Sequence, residues 1–229
     1  MNNEPVELQL VPESERLYVF FGGIAAGIVI PPFEFYNCAK ILDHNKIFIR
    51  DFEQSWYQAG LPGIGPDVYA AAGYLRALID DLRPKRCFFV GNSMGGYAAM
   101  MFHALLGVGE AIAFAPQTFI SPSLRLWHRD HRWMRHLWNT YRRAPGRQRV
   151  WDLKPLLTRM GPACNVAIFV STDERLDCVH ARHLKGVPGV RIFEQQAGGH
   201  EVVKLLRRAG ELPAIMSGEY RPSGTAVPG

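Results

Sequence analysis

Short apolar runs recur along the chain and alternate with segments whose apolar positions have a helical spacing. The runs begin at Arg16, Lys46, Cys87, Ala111, Val166 and Val190. Continuous apolar runs of this length are typical of strands that bury both faces in a parallel sheet. The segments between them predict helices over 32–45, 66–83, 97–106 and 201–208. This alternation predicts an α/β fold, with a mostly parallel sheet and helices on both of its faces.

The composition fits one folded domain with a sizeable core. Of the 229 residues, 48% are hydrophobic and 21% are charged, which excludes a disordered chain. The middle of the sequence contains no repeat and no stretch that resembles a flexible linker, so we expect a single domain over residues 1–229. The last segment, 217–229, contains several glycines and prolines, and we expect it to be frayed.

The cysteines and the first residues indicate a cytoplasmic protein with reduced thiols. None of the four cysteines forms a Cys-x-x-Cys pair, and the chain does not start with the basic and apolar regions of a signal peptide. The uncharged stretch from Leu17 to Phe33 is shorter than the roughly 20 residues of a spanning helix. It also contains Pro31-Pro32, so no membrane span is predicted.

The first candidate catalytic motif is a Gly-x-Ser-x-Gly sequence between a predicted strand and a predicted helix. Its residues are Gly91-Asn92-Ser93-Met94-Gly95. This is the pattern of a nucleophile elbow, in which a sharp turn presents the serine hydroxyl above the sheet. Glycines on either side of the serine let strand and helix approach without a collision of Cβ atoms. Ser93 is therefore the candidate nucleophile.

A serine hydroxyl needs a base and a group that orients the base. His200 is the candidate base, because it alone among the histidines follows the last predicted strand, in a glycine-rich loop. Asp173 and Asp177 both follow the strand that begins at Val166, and either could orient the imidazole. We favour Asp173, just past the strand end, because Asp177 could instead cap the helix that follows it.

Backbone N–H groups could hold the oxyanion that forms when a serine attacks a carbonyl. Met94, directly after the nucleophile, is one candidate donor. Gly23 or Ile24 is the other, in the glycine loop after the first core strand. The alternative is that this loop is only a tight connection between strand and helix.

The glycine loop, the Gly91-x-Ser93-x-Gly95 elbow, a later acid and His200 occur in an order that resembles the α/β-hydrolase superfamily over residues 16–210. The resemblance implies a Ser-His-Asp triad that acts on a small acyl compound through an acyl-enzyme, with no cofactor and no metal ion. An esterase or thioesterase is the leading hypothesis. An acyltransferase would use the same residues, and a binding protein on the same fold is the rival. The chain departs from the pattern because it has no clear His-Gly before the glycine loop.

A basic and aromatic insert over about 117–160 occupies the position where hydrolases commonly carry a cap. Between Ser121 and Trp151 there are eight arginines and one acidic residue. A helix here would place Leu126, Trp133, Leu137 and Tyr141 on one face and the arginines outward. The arginines could be a solvated face, a guide for an anionic substrate, or a surface for nucleic acid or membrane. No nucleic-acid motif accompanies them, so we do not expect nucleic acid as a partner. Substrate contacts are expected from Gly22, Asn92, Trp127 and Trp133.

Overall fold

Seven strands form one sheet in the computed structural model, which describes residues 4–24, 39, 42–143 and 150–220. In chain order the strands are β1 (Val6–Gln9), β2 (Arg16–Phe21), β3 (Asn45–Ile49), β4 (Arg86–Asn92), β5 (Glu110–Phe114), β6 (Val166–Ser171) and β7 (Val190–Gln195). Their order across the sheet is β1-β3-β2-β4-β5-β6-β7, and β1 alone pairs antiparallel among these strands. The predicted mostly parallel sheet is confirmed.

Both faces of the sheet are buried, as the continuous apolar runs predict. Leu17, Val19 and Phe21 of β2 belong to one hydrophobic cluster, whereas Tyr18 and Phe20 belong to a second one. Successive side chains of a strand point to opposite faces, so the two clusters lie on opposite sides of the sheet. Helices cover each side, in agreement with the predicted α/β fold.

Eight α-helices are present in the described ranges. They are α1 (Val68–Leu82), α2 (Met94–Leu106), α3 (Pro122–His128), α4 (Met134–Arg143), α5 (Leu153–Met160), α6 (Arg175–His183), α7 (Val202–Arg208) and α8 (Leu212–Met216). There are also two short 3₁₀ helices. Gly161–Ala163 follows α5, and Gly199–Glu201 precedes α7. The predicted helix over 66–83 corresponds to α1, whose first turn is capped by the side chain of Asp67. None of the helices in the described ranges is long and apolar enough to cross a membrane.

Several boundaries differ from the sequence-based prediction. Helix α2 begins at Met94, three residues before the expected start, because the turn at Ser93 leads directly into the helix. Most of the predicted helix over 32–45 lies outside the described residues, as do Cys38 and residues 221–229. The other three cysteines are free and buried. Tyr220, within the tail expected to be frayed, packs edge-on against Phe169 and Phe193.

The insert between β5 and β6 differs most from its prediction. The single expected helix is divided into α3 and α4, because Arg129 and Trp133 both adopt positive φ values that an α-helix cannot contain. Leu126 is consequently 75% exposed, whereas Leu137 is buried in the core. Residues 144–149 of the insert lie outside the described residues.

The turn from β4 into α2 brings backbone segments unusually close together. A Cβ atom on Gly91 would lie 2.1 Å from the carbonyl carbon of Gly95, and one on Gly95 would lie 2.2 Å from the carbonyl oxygen of Phe21. Neither distance leaves room for a side chain. The two glycines therefore allow α2 to start directly above the end of β4 and beside the end of β2.

Replacement of Gly95 by alanine should lower the free energy of unfolding by about 3 kcal/mol, because the new methyl group collides with backbone that has no free direction in which to move. The matched control is Gly73→Ala in α1, where a Cβ meets no atom within 4 Å. That change should raise the free energy of unfolding by about 1 kcal/mol, since alanine is the better helix former. Chemical denaturation measures both, and equal stability of G95A and the unsubstituted protein would contradict the close approach.

Candidate active site

Ser93, His200 and Asp177 meet at the carboxyl edge of the sheet. Ser93 directly follows β4, Asp177 lies in the first turn of α6 after β6, and His200 follows β7 in the 3₁₀ turn Gly199–Glu201. The Oγ atom of Ser93 is 2.9 Å from Nε2 of His200. The Nδ1 atom of the same imidazole is 2.7 Å from Oδ2 of Asp177. A continuous hydrogen-bonded chain thus joins a buried carboxylate, an imidazole and a hydroxyl.

The partners of each atom define the direction of the hydrogen bonds. The carboxylate of Asp177 can only accept, so the proton of the imidazole is assigned to Nδ1 of His200 and leaves Nε2 as an acceptor. The hydroxyl of Ser93 then donates to Nε2. It also accepts from Nε2 of Gln117 at 3.1 Å. The Gln117 amide is oriented in turn by Trp56, whose indole N–H donates to Oε1 at 3.1 Å.

Ser93 has the strained backbone that a nucleophile elbow requires. Its φ is 54° and its ψ is −118°, a combination that few non-glycine residues adopt. The turn is held on both sides, since the N–H of Ser93 donates to Phe114 and its carbonyl accepts from Tyr97. The strain is thus supported by β5 and by the first turn of α2.

The two predicted sources of oxyanion donors lie next to each other. Met94 is the first residue of α2, where backbone N–H groups have no partner within the helix. Gly22, at the start of the other segment, lies beside this helix start, since a Cβ on Gly95 would lie 3.2 Å from the carbonyl carbon of Gly22. The hydroxyl of Tyr57 donates a hydrogen bond to the carbonyl oxygen of Gly22 at 3.1 Å and holds the start of this loop in place.

The carboxylate that contacts His200 is Asp177, and the preference for Asp173 was wrong on this point. Asp173 is exposed and accepts hydrogen bonds from the Ser171 hydroxyl and, at 3.0 Å, from the N–H of Gly199. These bonds hold the pKa of Asp173 below its ordinary value, the one from Ser171 most strongly. Asp173 therefore fixes the loop that carries His200 without reaching the imidazole.

The helix cap explains why the sequence pattern pointed to the other aspartate. Helix α6 begins at Arg175, earlier than expected, and its cap is Glu174, whose side chain accepts from the N–H of Leu176. Asp177 is released from the capping role and instead points from the first turn of the helix to the edge of the sheet. Its side chain has no exposed surface.

A buried ionic cluster continues from Asp177 into the insert. Arg132 donates to Asp177 at 2.7 Å and to Asp130 at 3.1 Å, and Arg125 donates to Asp130 at 3.1 Å. The expectation that the arginines of the insert face outward is therefore wrong for these two residues. Arg125 is only 3% exposed, and its guanidinium pairs with Asp130 in the turn between α3 and α4.

His180 completes this cluster from α6. The N–H of Thr118 donates to Nδ1 of His180, so the imidazole is assigned as neutral and donates from Nε2 to Asp130 at 3.1 Å. Burial lowers the pKa of His180 to about 4. Burial would raise the pKa of Asp130, but the hydrogen bonds from His180 and Arg132 hold it well below its ordinary value.

The four residues expected to contact a substrate are in different surroundings. Asn92 is buried at the end of β4, and Gly22 lies in the loop beside α2. Trp133 is half-buried against the core. Trp127 is 81% exposed. Within the described ranges, no group of three or more histidine, cysteine or acidic side chains is arranged to hold a metal ion.

The sequence did not single out Gln117, Asp130 or Arg132 as site residues. Gln117 had a usable signal, since it follows the end of β5 at the same edge of the sheet as Ser93. Arg132 had none, because it was one of eight arginines in the insert, and only the turn between α3 and α4 directs it inward.

Comparisons with known proteins bear on the fold and on the family. No curated protein matches the sequence significantly. Among solved structures, the capsule O-acetyltransferase of Neisseria meningitidis serogroup A has a TM-score of 0.67 at 12% identity, over 94% of this chain and 93% of that one. MenH from S. aureus has a TM-score of 0.59 at 14% identity, over 93% and 97%. Est816, described as an N-acyl homoserine lactone degrading enzyme, has a TM-score of 0.59 at 15% identity, over 94% and 96%.

These similarities are too low in identity to show more than the fold. A family model gives the firmer assignment, since the one described as the alpha/beta hydrolase family matches residues 56–212. That range includes the elbow, the insert, Asp177 and His200. The match covers more than half of the chain, and the chain therefore belongs to the alpha/beta hydrolase family.

Proposed function

We propose that this protein is a serine hydrolase that cleaves an ester or thioester through an acyl-enzyme. Ser93 is the nucleophile, His200 is the general base and acid, and Asp177 orients His200. The observation that carries the proposal is the hydrogen-bonded chain from Asp177 through His200 to Ser93, with distances of 2.7 and 2.9 Å. Asp177 replaces Asp173 in this role because of that contact.

The first half of the reaction forms the acyl-enzyme. Oγ of Ser93 attacks the carbonyl carbon of the substrate while its proton moves to Nε2 of His200. The imidazolium that results is stabilised by the carboxylate of Asp177. The tetrahedral intermediate then collapses, the bond from carbon to the leaving oxygen or sulfur breaks, and Nε2 returns the proton to the departing alcohol or thiol.

The second half releases the acyl group. Water gives a proton to Nε2 of His200 and its oxygen attacks the acyl carbon. The bond to Oγ of Ser93 then breaks, the serine regains a proton from the imidazolium, and a carboxylic acid leaves. No redox change occurs in either half.

Two backbone N–H groups hold the oxyanion in both tetrahedral intermediates. We assign one to Met94 and the other to Gly23 or Ile24. The close approach of Gly22 to the start of α2 supports this assignment, because Gly23 and Ile24 directly follow Gly22 in the chain. The helix start contributes further, because the N-terminal end of a helix carries a partial positive charge.

Acyl transfer is the second candidate, and one observation favours it. The solved structure of the meningococcal capsule O-acetyltransferase has a higher TM-score with this chain than MenH or Est816 has. The acyl-enzyme is the same in both reactions, and an alcohol takes the place of water in the second half. The acceptor that enters decides between the two reactions.

A fluorophosphonate probe should label Ser93, because this class of reagent reacts with serines that an adjacent base activates. Intact-mass analysis should show one adduct on the unsubstituted protein and none on Ser93→Ala. His200→Ala should react at least about 100-fold more slowly, since general-base assistance contributes 10²–10⁴-fold. A folded protein that is never labelled would remove the basis of the proposed function.

Asp177→Asn and Asp173→Asn form a matched pair that tests the acid. The first change should lower the turnover of an activated acyl ester by about 10³–10⁴-fold, because an amide no longer fixes the imidazole with its proton on Nδ1. The second should cost less than about tenfold, the loss of an exposed hydrogen bond to a loop. Thermal unfolding of both variants separates loss of turnover from loss of fold. Equal turnover of the two variants would contradict the assignment of Asp177.

The fate of the acyl group separates hydrolysis from transfer. With a simple acyl ester or thioester as donor, a hydrolase should release the free acid at the same rate whether or not alcohols are present. Mass spectrometry of the products measures the partition. An acylated alcohol formed faster than free acid, and absent with Ser93→Ala, would assign the protein as a transferase.

A further inference from the structure

Arg132 connects two carboxylates that would otherwise be buried side by side. Its Nη1 donates to Oδ1 of Asp177 at 2.7 Å. On the other side, Nε and Nη2 donate to the two oxygens of Asp130 at 3.1 and 3.3 Å. The side chains of both aspartates are 1% exposed or less. A single guanidinium therefore bridges the acid of the proposed triad and an acid of the insert.

The bridge divides the two oxygens of Asp177 between different partners. Oδ2 accepts from His200 and Oδ1 accepts from Arg132. A carboxylate with a donor on each oxygen cannot rotate without loss of one bond, so its orientation toward the imidazole is fixed. Charge-assisted bonds of this kind are about twice as strong as neutral ones.

Asp130 is held in position by groups that have no contact with Ser93 or His200. Arg125 donates to it at 3.1 Å and the neutral imidazole of His180 donates at 3.1 Å. Both bonds end on Oδ2 of Asp130, whereas Oδ1 accepts from Nε and from the backbone N–H of Arg132. The cluster contains two buried carboxylates and two guanidinium groups, so its charges balance.

We propose that Arg132 is a positioning residue for the Ser93–His200–Asp177 site. It fixes the carboxylate of Asp177 in its orientation toward His200. Its positive charge also compensates part of the negative charge that Asp177 presents to the imidazole. This inference rests on the proposed function of those three residues. It also means that the insert supplies part of the triad's support, because both Arg132 and its anchor Asp130 belong to the turn between α3 and α4.

Removal of the Arg132 charge has a predictable effect on the protonation of His200. With Arg132 replaced by a neutral residue, the negative charge of Asp177 is less compensated and the protonated imidazole of His200 is favoured. His200 would then keep its proton to a higher pH, and the base form would appear later in a titration. The acid limb of the pH–rate profile should move upward.

The other charged groups near this site have partners besides Arg132. Asp173 lies against the Gly199 N–H, Glu201 is paired with Lys204, and Asp130 and His180 face the far side of Arg132. Arg125 remains paired with Asp130. Loss of the guanidinium leaves Asp130 as well as Asp177 less compensated, and both changes favour the protonated imidazole.

The test compares Arg132→Gln with Arg132→Lys and with Arg135→Gln, an exposed arginine of the same insert. R132Q should lower kcat about 10- to 100-fold with little change in KM, since the loss is one of geometry. Its acid limb should move to higher pH. R132K keeps the charge but not the planar fork, so it should retain the acid limb and recover only part of kcat. R135Q should behave as the unsubstituted protein.

A measurement independent of turnover separates this inference from the proposed function. The titration of the His200 imidazole is followed by NMR in the unsubstituted protein and in R132Q, with His200→Gln to assign the signal. Its midpoint should rise in R132Q even if no substrate is turned over. Lack of labelling of Ser93 would count against the proposed function, whereas an unmoved His200 midpoint would count against Arg132.

The lysine variant keeps the inference testable if R132Q does not fold. R132K is then compared with Arg135→Lys, which makes the same exchange at the exposed position. R132K should still show a kcat about tenfold lower, because lysine cannot bind both carboxylates through a planar fork. Equal kcat for R132K, R135K and the unsubstituted protein would overturn the proposal.

Discussion

The approach of the helix that begins at Met94 to the ends of two strands is the constraint on which the rest of the site depends. Backbone atoms of Phe21, Gly91 and Gly95 lie so close that no side chain fits between them. This packing forces Ser93 into its positive φ and brings the loop after β2 beside the first turn of the helix. One steric condition thus sets the position of the hydroxyl and of the backbone N–H groups around it.

A second level of organisation surrounds the imidazole. Its two nitrogens face groups from different parts of the chain, a carboxylate from α6 and a hydroxyl from the elbow. The carboxylate depends in turn on an arginine of the insert, and the hydroxyl receives a further bond from Gln117. Ser93 and Asp177 of the proposed triad are therefore each held by a residue outside it.

The sequence predicted those features that depend on neighbouring residues. The buried strands, helix α1 and the strand–turn–helix around Ser93 follow from local periodicity and from glycine spacing, and the structure contains each of them. The position of His200 followed from its place after the last strand. Asp173 and Asp177 differ by one helical turn, however, and the residue that caps α6 decides which of them reaches the imidazole. The local sequence pattern therefore does not predict which of the two aspartates contacts His200.

The insert was the least predictable part for the same physical reason. Its helical periodicity continues through Arg129 and Trp133, but their positive φ values break the helix at the point where Asp130 forms a buried pair with Arg125. Burial of these charged groups overrides the helical preference of the segment. The inward direction of Arg132 also depends on Asp177, a partner 45 residues away in the sequence.

The buried bridge has a consequence for engineers who would alter the substrate range by grafting. Inserts of this kind look exchangeable, since they connect two adjacent strands and cover the sheet from outside. Here an exchange of residues 117–160 would remove Arg125, Asp130 and Arg132 together and leave Asp177 with one oxygen facing an empty buried position. A grafted insert must therefore supply a cationic side chain at the position of Arg132, so that Asp177 keeps its orientation, before the grafted pocket can change the substrate range.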